Sequence, residues 1–130
     1  MTVVSHEELE NSLYTYKAKC VRVIDGDTVE LMIDQGLNIY RHARVRLYGL
    51  DTPEIHGVKH DSEEYRKGMI VKGIVAEQIL GKQLWIETHK DKTGKYGRYL
   101  ATIWYYDADE EFVCLNDMLV NEGHAESKTY

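Results

Sequence analysis

The chain has 130 residues, 43% of them hydrophobic and 29% charged, the balance of one ordinary globular domain rather than a globally disordered chain. No stretch approaches the roughly 20 apolar residues of a membrane-spanning helix, and two cysteines, Cys20 and Cys114, are too few for a disulfide-stapled scaffold. The net charge of −6 argues against a protein that coats nucleic acid through bulk positive charge, but not against an enzyme that grips one or two phosphates locally.

Residues 1–13 are polar and acidic, a lead-in or a short helix through Glu7, Glu8 and Glu10. No positive segment followed by an apolar run marks a secretory signal, so a cytoplasmic protein is expected, or a secreted one if a leader has been removed. From Tyr14 the pattern turns β-branched and alternating, and Tyr14 to Ile24 reads as a first strand. Asp25-Gly26 and Gln35-Gly36 are turn signals around a second strand, Thr28 to Ile33. Leu37 to Leu50 reads as one long third strand, with Arg44 and Arg46 on a shared face and Val45 and Leu47 on the other.

Asp51-Thr52-Pro53 ends that strand, because proline cannot donate to the ladder. Asp61 and Glu64 are spaced as a capping box. Met69, Ile70, Ile74, Val75, Ile79 and Leu80 then recur at helical spacing up to Gly81. Leu84 to Thr88 reads as a fourth strand, residues 92–97 as a glycine-bearing loop, and Arg98 to Tyr106 as a fifth strand. Leu115 to Glu122 reads as a final helix with Asn116 near its start and Gly123 past its end. The expected boundaries are a lead-in over 1–13, a domain over 14–126 and a tail over 127–130. Short strands interrupted by a helix suit a mainly β, α+β fold: a five-stranded Greek-key barrel of the OB type with about three helices. Periodicity alone does not separate that barrel from another α+β arrangement.

Chemistry concentrates at strand ends. Asp25-Gly26-Asp27 lies at the first turn and Asp51-Thr52-Pro53-Glu54 where the third strand stops. In a barrel these corners can face one another, and converging carboxylates suit a hard cation such as calcium. Each fragment alone also reads as ordinary turn chemistry. Arg46 and Arg98 offer the forked donors that fit phosphate oxygens. Lys95 and Tyr96 suit a terminal phosphate or a stacked base, and all four also read as plain surface residues. His56 and His60 lie in a loop, and no Cys–His pair or G-x-S-x-G turn supports covalent catalysis.

The joint order of these fragments is more specific. Val23-Ile24-Asp25-Gly26-Asp27-Thr28-Val29, then Arg46-Leu47-Tyr48-Gly49-Leu50-Asp51-Thr52-Pro53-Glu54, then Lys95-Tyr96-Gly97-Arg98 resembles the staphylococcal nuclease (thermonuclease) family. The stretch from Asn116 to Ala125 is similar to that family's last-helix region, so the resemblance runs from about Tyr14 to about Ala125. It implies the OB barrel and a calcium-dependent nuclease acting on DNA or RNA with low sequence specificity and leaving 3′-phosphate ends. It further implies Asp27, Asp51 and the Thr52 carbonyl as calcium ligands and Glu54 as the residue that orients or deprotonates water. Arg46 and Arg98 become the phosphate-binding catalytic pair, with Lys95 and Tyr96 holding the nucleotide's terminal phosphate. A monomer with a nucleic-acid substrate and no membrane partner is expected.

Two departures stand out. The family's base-binding tyrosines beyond the last helix reduce here to Tyr130, and the acidic composition predicts weaker capture of long polyanions. The competing expectation is a non-catalytic OB module that binds single-stranded nucleic acid or another protein.

Overall fold

The computed structural model describes residues 3–90 and 99–130. A short helix α1 (His6–Asn11) is capped by Ser5, whose hydroxyl accepts the Glu8 N–H at 3.0 Å. Three strands follow: β1 (Thr15–Asp25), β2 (Thr28–Asp34) and β3 (Tyr40–Leu47). The rest is β4 (Leu50–Asp51), α2 (Glu63–Ile79), β5 (Gln83–His89), β6 (Tyr99–Tyr106), β7 (Phe112–Cys114), α3 (Leu115–Asn121) and β8 (Glu126–Ser127). Strands run in the order β3-β2-β1-β5-β6-β7, and a parallel β3–β6 pairing closes five of them into a mixed barrel. With its three helices, this is the expected OB-type α+β fold.

Alternation explains the barrel's inside. Val29, Leu31, Val45, Leu47, Leu84, Ile86 and Ile103 are buried, and their neighbours on the same strands face outward. Each such side chain contributes about 1.5–3 kcal/mol by leaving water. Cys20 is buried among them, whereas Cys114, expected to pack the same way, is only half-buried.

Four expectations are corrected. The third strand does not run unbroken from Leu37 to Leu50. Leu37 and Asn38 have φ of 55° and 60°, which places them in the turn before β3. Gly49, at φ 81°, separates β3 from β4 in a conformation that suits residues without a Cβ. The cap of α2 is Ser62, not Asp61: its hydroxyl accepts the Tyr65 N–H at 3.2 Å, and Glu64 accepts instead from the Glu54 N–H at 3.3 Å. The buried stripe of α2 is Gly68, Val71, Val75 and Ile79, leaving Met69, Ile70 and Leu80 exposed. Asn116 does not cap α3, which starts one residue earlier after Cys114; its amide turns into the protein instead.

Candidate active site

The site is built where β1 turns into β2 and where β3 breaks into β4. Register shifts in β1 between Cys20 and Arg22 and between Val23 and Asp25 bend the strand end, a device common beside active sites. The tight turn then places Asp27 against the segment after β4. Asp27 Oδ2 accepts the Thr52 N–H at 3.3 Å, and Asp27 Oδ1 accepts the Thr28 hydroxyl at 3.1 Å. Gly26 is required for this approach, since a Cβ there would meet Val71 Cγ1 at 2.7 Å and Thr52 Oγ1 at 2.9 Å.

Arg46 joins the two corners. Its Nη2 lies 3.6 Å from Asp27 Oδ2 and also donates to Asp51 Oδ1. Asp51 additionally faces Lys128 Nζ at 3.9 Å, because β8 pairs with β4 and sets Glu126 opposite Asp51. Arg46 Nε is buried without a hydrogen-bond partner among the described residues. A buried guanidinium donor left open beside two carboxylates is unfavourable unless an acceptor arrives.

Protons at the corner are unequally held. Burial pushes the Asp25 carboxyl up to about 6, and the hydrogen bond and charge of Asp27 act in the same direction. Burial also disfavours the Asp27 carboxylate. Its hydrogen bond from Asp25, the Arg46 charge, the Thr52 N–H and the Thr28 hydroxyl outweigh that, and Asp27 stays below the usual carboxylate range. Of the two carboxyls, Asp25 therefore takes up a proton more readily than Asp27 as the pH falls.

Glu54 is exposed and opens, with Asp25, Asp27, Arg46 and His56, into a cleft of about 950 Å³. The backbone around it is fixed by helix α2. A Cβ on Gly68 would lie 2.6 Å from the Pro53 carbonyl and 2.4 Å from Ile55 Cγ2, so only glycine lets the helix seat against this segment.

The structure therefore brings Asp27, Arg46, Asp51, Thr52 and Glu54 together. Lys95, Tyr96 and Arg98, and the loop over 92–97, lie outside the described residues. His56 reaches the cleft edge 3.9 Å from Asp25, while His60 stacks on Tyr65 at 4.5 Å. Among the described residues no three His, Cys, Asp or Glu side chains gather as a metal cluster. The donor set at this corner is two carboxylates with a neighbouring backbone carbonyl. Its all-oxygen chemistry fits a hard divalent cation completed by water, not a soft metal.

A ring stack forms at the β3–β4 break. Tyr48 sits 3.9 Å from the His89 ring and 5.1 Å from the Tyr130 ring, and the Tyr130 hydroxyl accepts the Gly49 N–H at 3.1 Å. Tyr130 is thus engaged with the β3–β4 break. Asp25 was visible in sequence as half of an Asp-Gly-Asp turn, but its role as partner of Asp27 needs the folded corner.

Residues 44–130 match the family described as Staphylococcal nuclease homologue. The chain belongs to the staphylococcal nuclease family. Over 109 residues it is 35% identical to a thermonuclease of Staphylococcus intermedius, covering 84% of this chain and 58% of that protein. A thermonuclease of Staphylococcus hyicus is 32% identical over 116 residues, 89% of this chain and 60% of the relative. An uncharacterized protein of Methanocaldococcus jannaschii is 31% identical over 126 residues, 85% of this chain and 58% of the relative. The chain spans under two-thirds of the length of these relatives. Membership places it with nuclease-type proteins at the level of the family. No helix among the described residues is long and apolar enough to cross a membrane.

Proposed function

We propose that this chain is a calcium-dependent nuclease that hydrolyses phosphodiester bonds of DNA or RNA with low sequence specificity and leaves 3′-phosphate ends. One observation carries the reading. Two carboxylates from separate corners meet a single guanidinium whose buried Nε has no acceptor among the described residues, and this arginine and Asp27 line a cleft with Glu54.

Asp27, Asp51 and the Thr52 carbonyl would hold calcium, which supplies positive charge against a phosphoryl oxygen. Arg46 donates to the phosphate, and its hydrogen bonds strengthen as negative charge builds in the transition state. Glu54 accepts the proton of the attacking water. The water oxygen forms its bond to phosphorus as the bond from phosphorus to the 5′ oxygen breaks, the 5′ oxygen takes a proton from solvent to leave as a hydroxyl, and the phosphate remains on the 3′ side. Arg98 is the second phosphate-binding guanidinium in this proposal, and Lys95 and Tyr96 hold the terminal phosphate. None of these contacts reads a base edge, so discrimination among sequences is low.

The test is cleavage of single-stranded DNA, duplex DNA and RNA in calcium, in magnesium and in chelator, with end-group analysis of the products. Cleavage in calcium alone, with 3′-phosphate ends, is expected. Full activity in chelator would refute the metal dependence, and 5′-phosphate ends would refute the leaving group. Tight binding with no cleavage in calcium would favour a non-catalytic OB module.

A further inference from the structure

Strand β3 carries Arg41, His42, Arg44 and Arg46 within six positions, and only Arg46 belongs to the site described above. Cross-strand register sets Arg22 of β1, Glu30 of β2 and Arg44 of β3 in one row. The neighbouring row contains Asp25, Thr28 and Arg46. Arg44 and Arg46, two residues apart on β3, are therefore roughly 7 Å apart along the same face.

Two guanidiniums and the His42 imidazole converge on one acid. Glu30 Oε1 lies 3.2 Å from Arg44 Nη2 and 3.9 Å from Arg22 Nη1, and Glu30 Oε2 lies 3.3 Å from His42 Nε2. The Glu30 side chain is 14% exposed, whereas Arg22, His42 and Arg44 are 67%, 53% and 55% exposed. One covered carboxylate does not neutralise two open guanidiniums, so the row stays positive toward solvent in a chain of net charge −6. Exposed ion pairs add little to stability, so the fold itself gives slight reason for such a cluster. His42 and Arg44 line the same 950 Å³ cleft as Asp27, Arg46 and Glu54. Tyr99, 44% exposed, lines it too, with the Arg41 guanidinium 4.8 Å above its ring. Cations beside an open aromatic face suit a single strand, whose phosphates pair with charge and whose bases stack.

We infer that the Arg22–Glu30–Arg44 row, extended by His42 and Tyr99, is a second phosphate subsite that holds the backbone of a single nucleic-acid strand beyond the phosphate being cut. The inference rests on the nuclease reading for the identity of its ligand. It deepens that reading: the cleft has an acidic pole that holds the cation and a basic pole that holds the strand. The local charge offsets the polyanion repulsion expected of an acidic protein.

The test is a salt titration of binding. A fluorescein-labelled single-stranded DNA of about twelve nucleotides is bound in calcium to chain carrying Glu54→Gln, so that the strand persists, and anisotropy is followed against salt. Each phosphate contact contributes about 0.7 to the slope of log affinity against log salt for a single strand. Adding Arg22→Ala and Arg44→Ala is expected to make the slope shallower by about 1.4, and each single Arg→Gln change by about half that. Adding Glu30→Gln instead removes the neutralising acid and is expected to tighten binding. A structural role for the cluster moves both sets the same way, so the opposite signs separate the two explanations. An unchanged slope in the double variant, weaker binding in Glu30→Gln, or no binding by the parent overturns the inference. Cleavage by the unaltered chain is scored separately: no cleavage with the expected slopes refutes the nuclease reading and leaves the subsite standing.

Discussion

Asn116→Ala is expected to be among the most damaging single changes in this protein. Asn116 is 6% exposed and its amide ties three elements together. Its Oδ1 accepts the Ile103 N–H at 3.0 Å, and its Nδ2 donates to the Tyr48 carbonyl at 2.9 Å and the Ala101 carbonyl at 3.1 Å. Ala101 keeps a partner in the variant, because its carbonyl also accepts the Tyr48 N–H at 2.8 Å. The Ile103 N–H and the Tyr48 carbonyl lose the bonds that Asn116 provides. Leaving the buried Ile103 N–H unpaired costs about 1–3 kcal/mol, with a smaller loss at the part-buried Tyr48 carbonyl, against the 5–15 kcal/mol typical of a whole domain. Urea denaturation followed by circular dichroism measures the loss, provided the slope of the transition is unchanged. The Tyr48 carbonyl sits at the β3–β4 break that delivers Asp51, so calcium affinity is expected to weaken too. A loss under about 1 kcal/mol would refute the reasoning, because it would mean that water reaches these groups once the amide is gone.

Other expectations follow from the site and the core. Glu54→Gln keeps the side chain's size but removes the proton acceptor, and turnover should fall by about two to four orders of magnitude while nucleotide binding survives; near-normal turnover rules Glu54 out as the base. Gly68→Ala should destabilise by about 1–3 kcal/mol and depress activity, because its methyl would displace the Pro53–Glu54 backbone; a silent substitution in thermal melts and cleavage assays contradicts this. Calcium at one hundred times its dissociation constant should stabilise the native state by about 2.7 kcal/mol, and Asp27→Asn should abolish the shift in melting temperature. The Tyr105 phenol is pushed up to about 12, by burial first and then by the charges of Asp107 and Glu122. A raised folded-state value means that the buried neutral phenol stabilises the fold fully below pH 10. That contribution disappears as pH climbs toward 12, and ultraviolet difference absorbance should show Tyr105 ionising after the exposed tyrosines.

Legibility from sequence divides along physical lines. Alternating burial marks β1, β2, β5 and β6, and the Asp-Gly-Asp and Asp-Thr-Pro-Glu corners are visible because turns need special residues. What sequence does not show is how two corners meet. Arg46 and Asp51 lie five residues apart, but their pairing needs the β3–β4 break, and the contact of Arg46 with Asp27 depends on register between β2 and β3. The strand break at Tyr48-Gly49 was missed because apolar residues flank it, and its left-handed glycine appears only in the backbone. Strands β7 and β8 are three and two residues long, too short for a period to register. Asn116 carried a helix-start residue type while its amide serves the interior. His42 and Arg44 are visible in a charged run with Arg41 and Arg46, but their gathering with Arg22 around Glu30 needs the β1–β2–β3 register.

Among the described residues the parallel seam that closes the barrel is three residue pairs long, and Arg46 is the middle one, opposite Leu100. It joins segments roughly fifty positions apart in the chain, a closure exceeded among the barrel pairings only by β1–β5, and a short ladder offsets its cost. The Arg46–Asp27 contact belongs to the β2–β3 hairpin, but the β3–β4 break that delivers Asp51 is tied to β6, through the Tyr48 N–H and the Ala101 carbonyl, only when the cylinder shuts. An open-seamed folding intermediate would hold most of its hydrophobic contacts and still lack a site. In stopped-flow refolding, ligand binding should accordingly appear with the slowest structural phase, after the signal from the tyrosines and tryptophans of the sheet has largely recovered.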